Sequence, residues 1–309
     1  PDRARGLQNL AGKRSQVGIF RQRKGQPGLV GQLVGRTGNA QCRDGPVTAL
    51  ERQPRVRPLL DVNGLEVAYG DVQVIWGISF TVAPGEIVTL IGPNGAGKTT
   101  AFSMIAGSLV PTAGSIRFRD REIAGWPSQR VVHLGICRTH QIPRPFTGMS
   151  VHENVEVGMR YGGRRTPPRG EVADEIERIL EFTGLSGWGA RSAGSLPTGN
   201  RKRLELARAL ATDPVILLCD EICGGLNPTE TADILALLRR LRDGGITILY
   251  IEHDMRAVMR TCDRIMVLNY GEKLAEGTPE EIQDDEGVIE AYLGRRSWMG
   301  RKEEIEEQP

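Results

Sequence analysis

Short apolar runs at residues 87–91, 215–220 and 246–251 are rich in β-branched residues, and each ends abruptly in polar or glycine-rich sequence. Runs of five or six residues without alternation are the pattern of strands buried on both faces, as in a parallel sheet. Between the second and third runs, residues 228–241 carry apolar side chains at helical spacing, and Asp243-Gly244-Gly245 ends that helix. Strand, helix and strand therefore alternate as in a doubly wound α/β fold, whose ligands sit at the carboxyl ends of the strands. Upstream, residues 60–69 and 78–82 predict short antiparallel strands leading past Pro84-Gly85 into the first buried run.

Over residues 142–206 the period changes. Residues 171–182 place Val172, Ile176, Ile179 and Leu180 on one face of a helix, and residues 200–210 turn Leu204, Ala207 and Leu210 inward. This predicts a helical block inserted in the α/β core. Thr278-Pro279-Glu280-Glu281 starts a late helix, with Thr as cap, Pro at the first position and Glu at the third.

Charge divides the chain. Over 309 residues the net charge is +2, but the first 57 hold twelve Lys/Arg against Asp2, Asp44 and Glu51, leaving the remainder at −7. Residues 1–57 are rich in Gly, Arg, Gln and Pro without sustained periodicity, so a disordered extension is expected rather than a nucleic-acid arm. The segment has no apolar signal core; its Arg-rich, acid-poor character resembles an organelle transit sequence only faintly. The body is expected to span 58–294 and a charged tail 295–309. With 39% hydrophobic residues the chain can build a core, yet no apolar run approaches the about 20 residues needed to cross a bilayer, so any membrane role is expected to be peripheral. Cys42, Cys137, Cys219, Cys223 and Cys262 are odd in number and scattered. They predict reduced core residues of a cytosolic protein, not a disulfide framework or a zinc site.

The chemistry begins where the first buried run ends. Gly92-Pro93-Asn94-Gly95-Ala96-Gly97-Lys98-Thr99-Thr100 has the full G-x-x-x-x-G-K-T spacing between a strand and a helix. Its backbone N–H groups and the helix dipole suit phosphate oxygens. Lys98 is placed to reach the β- and γ-phosphates of ATP, and the Thr99 hydroxyl to join a Mg²⁺ shell supported by Thr100. The second run ends in Asp220-Glu221: Asp220 is expected to hold Mg²⁺ through water and Glu221 to polarise the attacking water. The third ends in Glu252-His253-Asp254, where His253 can contact the γ-phosphate and that water. Gln141, a further candidate beside the metal, lies where the core gives way to the helical block. Tyr69 lies upstream of the phosphate loop, where its ring can stack on adenine.

Leu196-Pro197-Thr198-Gly199-Asn200-Arg201-Lys202-Arg203, running into Leu204 to Leu210, resembles the signature motif of ATP-binding-cassette ATPases. Taken in order and spacing, the motifs resemble one such cassette over residues 59–294. Arg138 to Phe146, Met149 to Val155, Gly225-Leu226-Asn227-Pro228 and Glu252 to Met255 through Val267 to Gly271 are similar to the ATPase subunits of branched-chain amino-acid (Liv-type) importers; Tyr69 to Gly77 is similar to their sister ATPase. The resemblance implies a P-loop NTPase fold with a RecA-like core, an antiparallel β subdomain and an inserted helical subdomain at 142–206. It also implies a head-to-tail dimer of two such ATPase subunits, homo- or hetero-, sandwiching two ATP. Residues Pro197, Thr198, Gly199 and Asn200 of one subunit would then face the partner's γ-phosphate.

Transmembrane permease subunits would touch the region from Gln141 to Glu153, and an external solute-binding protein would act indirectly, placing the chain on the cytoplasmic face of the membrane; no nucleic-acid partner is expected. The sequence departs from the family pattern at Pro197, where a Ser is usual, at Thr198 in place of a Gly, at Ile222 after the acid pair, and at His140. The alternatives are a soluble mechanical ATPase acting on nucleic acid or ribosomes, and the ATPase of a lipid exporter.

Overall fold

Six strands build the sheet that carries the motifs. In the computed structural model, which describes residues 57–162 and 167–293, β3 (Ile87–Ile91), β6 (Ile136–Arg138), β7 (Ile216–Asp220), β8 (Thr247–Ile251) and β9 (Arg264–Asn269) run parallel. β10 (Glu272–Gly277) closes one edge antiparallel to β9, giving the order β10-β9-β3-β8-β7-β6. Every residue of β3, β7 and β8 is buried, which is why these three runs lack polar alternation. α1 (Lys98–Ile105) follows β3, and α6 (Pro228–Asp243) returns the chain from β7 to β8. Asn227 caps α6 reciprocally with Glu230, one residue before the Pro at its first position.

A second sheet, of order β2-β1-β4-β5, is antiparallel: β1 (Leu60–Tyr69), β2 (Val72–Val82), β4 (Ala113–Phe118) and β5 (Arg121–Glu122). β2 begins six residues before the predicted start at Ile78. Register shifts along the β1–β2 pair interrupt the inside-outside alternation, so sequence periodicity alone could not extend the strand. Leu60, Leu65, Ile75, Ile78, Ile116 and Phe118 from this sheet join Phe102 and Ile105 of α1, and Leu90, Leu218, Leu249 and Met266 of the large sheet, in one core. The phosphate-loop helix is thus gripped between two sheets.

α2 (Ser128–Leu134) leads into β6. The helical block follows as α3 (Val151–Val157), a π turn over Gly158–Gly162, α4 (Val172–Phe182) and α5 (Thr198–Leu210). Val172, Ile176, Ile179 and Leu180 are buried as α4 requires, and Leu204, Ala207 and Leu210 are buried in α5. α5 starts two residues earlier than predicted and also buries Lys202 and Glu205, which a purely apolar pattern does not reveal. After α7 (Met255–Met259), the predicted capping box at Thr278 opens α8 (Pro279–Gln283), and α9 (Glu286–Leu293) ends the described chain.

Cys137, Cys219, Cys223 and Cys262 are free, and burial pushes the Cys219 thiol up to about 12, so it behaves as a neutral core residue. Among the described residues no helix is long and apolar enough to cross a membrane. The expected extension at 1–57, all but Arg57, and the tail at 295–309 lie outside the described residues.

Leu249 is fully buried in the central strand and belongs to the shared core. Leu249→Ala is expected to cost about 2–5 kcal/mol by removing buried methyl groups and leaving a cavity. The measurement is thermal unfolding, with a midpoint lowered by roughly 5–15 °C.

Candidate functional site

The phosphate loop is shaped by what lies beneath it. Gly92 has φ +148, and a Cβ there would meet the Leu268 carbonyl oxygen of β9 at 2.1 Å. Gly97 has φ +95, and its Cβ would meet Ile75 Cδ1 of β2 at 2.3 Å. Both positions therefore need glycine for close approach as well as for backbone conformation. The loop's far side is tied down by Gly271, whose N–H donates to the Ala96 carbonyl at 3.2 Å while its own carbonyl accepts from Trp76 N–H at 2.9 Å.

Lys98 lies under the loop, buried, with its ammonium donating to the carbonyls of Gly92 (2.7 Å) and Pro93 (2.9 Å). Desolvation lowers its pKa, and Glu221 and Asp220 oppose that shift. Asn94, Gly95 and Thr99 are exposed around it.

Strand ends bring the remaining groups to the same edge of the sheet. Asp220, only 2% exposed, accepts from Arg138 Nη2 at 2.7 Å, and Arg138 Nη1 donates to Ser103 Oγ of α1 at 2.9 Å. Arg138, at the end of β6, thereby links Asp220 to the phosphate-loop helix. Glu221 turns away from its neighbour through a left-handed backbone, φ +46. Its Oε1 lies 2.5 Å from His253 Nε2, and its Oε2 accepts from the Gln141 side-chain amide. The two adjacent acids thus occupy different surroundings: one is in a buried ion pair, the other a partly open carboxylate, 19% exposed, held by an amide and an imidazole.

Lys98, Asp220, Glu221, Gln141 and His253 are accordingly brought to one edge. Gln141 is found on Glu221 and Asp220 on Arg138, so neither presents a side chain free of protein partners. Tyr69 is 53% exposed at the end of β1, on the other sheet. Pro197, Thr198, Gly199 and Asn200 lie at the start of α5, where Pro197 supplies no side-chain cap and the first-turn N–H groups remain available. A Cβ on Gly199 would meet Glu230 Oε1 of α6 at 2.4 Å, so a larger residue there would have to displace the Glu230 side chain.

Sequence reasoning missed Arg138, Lys202 and Glu205 as site residues. The available signal for the last two is their spacing, three apart on one face of the signature helix.

A strand-borne phosphate loop facing an acid-ended strand and a histidine-ended strand defines the class as a P-loop ATPase. The family model described as ABC transporter matches residues 75–224, and that described as branched-chain amino acid ATP-binding cassette transporter matches 272–296. The high-affinity branched-chain amino acid transport ATP-binding protein LivG of Escherichia coli (strain K12) is 42% identical over 251 residues, covering 77% of this chain and 98% of LivG. BraF of Pseudomonas aeruginosa, of the same description, is 41% identical over 251 residues, with the same coverage. The lipopolysaccharide export system ATP-binding protein LptB of Escherichia coli (strain K12) is 35% identical over 235 residues, covering 76% of this chain and 97% of LptB.

Among solved structures, a nucleotide-free ATP-binding cassette from an ABC transporter superposes with TM-score 0.71 at 31% identity, covering 77% of this chain and 100% of that one. The ADP conformation of MJ1267, an ATP-binding cassette of an ABC transporter, gives 0.70 at 31% identity, with 77% and 99% covered. The chain belongs to the ABC transporter family, as one of its ATP-binding and ATP-hydrolysing subunits. Its fold is the expected one, a P-loop core with an antiparallel sheet and an inserted helical block.

Gly92→Ala is expected to lift the loop off Leu268 and weaken nucleotide binding roughly 10-fold or more, the equivalent of one or two lost hydrogen bonds to a charged ligand. Titration with a fluorescent ATP analogue measures it, with circular dichroism confirming a folded variant. Wild-type affinity would show that the loop tolerates this displacement.

Proposed function

We propose that this ATPase subunit powers import of branched-chain amino acids or related small polar solutes. The observation that carries the catalytic part is the Glu221 carboxylate held between Gln141 and His253 at the end of β7, beside the phosphate-loop lysine. The names of LivG and BraF, and the family model over 272–296, support the cargo. The exporter alternative is less favoured, since LptB is 35% identical against 42% for LivG. The alternative of a soluble mechanical ATPase has no support among these relatives.

In this proposal Tyr69 stacks on adenine, while the N–H groups of residues 92–100 receive the phosphates of ATP. Lys98 exchanges the Gly92 and Pro93 carbonyls for β- and γ-phosphate oxygens, a larger gain because the acceptors are charged. The Glu221 carboxylate accepts a proton from the attacking water, and His253 orients that water and the γ-phosphate.

The oxygen donors Thr99, Asp220 and Gln141 fit Mg²⁺, a hard ion that takes oxygen ligands and keeps waters. Among the described residues no cluster of three or more His, Cys, Asp or Glu could hold a metal, so such an ion would arrive with the nucleotide phosphates. Bound there, it would neutralise charge on the β- and γ-phosphates.

The bare start of α5, residues 197–200, is proposed to face the γ-phosphate bound by a second ATPase subunit, using backbone N–H groups and helix dipole instead of a Ser hydroxyl. The region from Gln141 to Glu153 is proposed to meet permease subunits on the cytoplasmic side, with a solute-binding protein acting through them.

Glu221→Gln is expected to retain ATP affinity, lose about 10²–10⁴-fold in turnover, and elute as a dimer on size-exclusion chromatography with Mg-ATP. Turnover at the wild-type rate would remove Glu221 from its role. The cargo is tested by leucine uptake in cells lacking their own Liv-type ATPase subunit. Restoration by the wild-type chain but not by Glu221→Gln is expected, and uptake no better than without the chain would overturn the cargo assignment.

A further inference from the structure

α5 carries Lys202, Glu205 and Arg208 at successive helical turns, and all three reach the backbone of one loop. Lys202 Nζ donates to the Gln141 carbonyl at 2.6 Å, Glu205 Oε1 accepts from His140 N–H at 2.5 Å, and Arg208 Nη1 donates to the Arg144 carbonyl at 2.8 Å. Arg208 also lies over the Phe146 ring, 4.7 Å from its centroid. The loop that presents Gln141 is therefore fastened to the helix that begins with the signature residues.

Lys202 does more than fasten the loop. It is 3% exposed, and the same ammonium donates to the Glu221 carbonyl at 3.1 Å. Its two acceptors are the main chains of the two residues whose side chains meet above, Gln141 and Glu221. Glu221 holds a left-handed backbone, which a residue with a Cβ disfavours. A cation on its carbonyl helps to fix that conformation, and with it the direction of the carboxylate.

Burying an ammonium among neutral carbonyls is costly compared with an apolar side chain of the same length. Desolvation accordingly lowers its pKa, with Glu205, Cys223, Glu252 and Glu221 around it raising it. Packing alone would favour Met here; the charge is explained by what it holds.

We infer, on the basis of the function proposed above, that Lys202 is a positioning residue for hydrolysis, locking the Glu221 carboxylate and Gln141 to the signature helix so that a displacement of α5 is passed to both. Its ammonium is bonded to the two carbonyls, and it acts through them.

Lys202→Met keeps length and apolar stem and removes the donors. The expected result is a fall in kcat of roughly 10- to 100-fold, the scale of misplacing a reacting group, with the Kd for ATP unchanged within about 2-fold because the phosphate loop is intact. Lys202→Arg, which restores donors to both carbonyls, is expected to recover at least part of kcat. A wild-type kcat in Lys202→Met overturns the positioning role while leaving Glu221 in place. Parallel loss of kcat, ATP affinity and thermal midpoint in both variants reduces Lys202 to a structural residue and also overturns it. The two readings separate through Glu221→Gln: wild-type turnover in that variant fails the assignment of Glu221 itself.

Discussion

The side chains gathered at the ends of β7 and β8 are arranged around the backbone of Glu221, which leaves β7 in a left-handed turn. A residue with a Cβ disfavours that conformation by roughly 1–2 kcal/mol, and φ +46 is held by several contacts at once. The Glu221 N–H donates to the Ile251 carbonyl at 3.1 Å, which ties the turn to the end of β8. Its carbonyl takes Lys202, and its carboxylate takes His253 and Gln141. Strain at one residue is maintained by β8, α5, the Gln141 loop and the histidine segment together. Because these contacts come from three separate stretches of chain, around residues 141, 202 and 251–253, the direction of one carboxylate reports the arrangement of the whole edge.

The same turn solves the problem of two neighbouring acids. If Asp220 and Glu221 pointed together, their charges would compete for one site. Asp220 stays on the strand, buried, and is balanced by Arg138 at 2.7 Å. Removing one partner of such a pair would leave an uncompensated buried charge, which is far more destabilising than the pair itself is stabilising. Arg138 also reaches Ser103 on α1, so the ion pair braces the phosphate-loop helix against β6. Glu221, turned outward, meets the Gln141 amide and the His253 imidazole and keeps part of its surface open, as the role proposed for it needs.

Much of this was legible in the sequence because it rests on local pattern. The three buried strands read as unbroken apolar runs, α4 as a stripe at Val172, Ile176, Ile179 and Leu180, and α8 as a capping box at Thr278. Gly92 and Gly97, the two glycines that the packing beneath the loop demands, are the two that the G-x-x-x-x-G-K-T spacing fixes. What escaped is non-local. β2 was cut short because bulges erase the period of 2, and β6 has only three residues, too few for any period to emerge. Lys202 and Glu205 look like solvent-facing charges on an ordinary helix; only the Gln141 loop folding over α5 makes them buried hydrogen-bonding groups. The protein partners of Gln141 and Asp220, Glu221 and Arg138, are about 80 residues away along the chain and leave no local pattern to read.

The phosphate loop is equally dependent on distant chain. Its floor is the Leu268 carbonyl of β9, its flank is Ile75 of β2, and its far side is Gly271 in the turn from β9 to β10. Gly271 has φ +81, and a Cβ there would meet the Val74 carbonyl oxygen at 2.1 Å, so the turn is pressed against β2 as closely as its own backbone allows. One residue, through the peptide groups on its two sides, thereby joins the antiparallel sheet, the phosphate loop and the start of β10. The segment matched by the branched-chain amino acid cassette model begins at the next residue, 272. A shift of β10 along β9 would strain Gly271 and with it the bonds to Ala96 and Trp76. The segment matched by that model is therefore the covalent neighbour of the residue that holds the phosphate loop against β2.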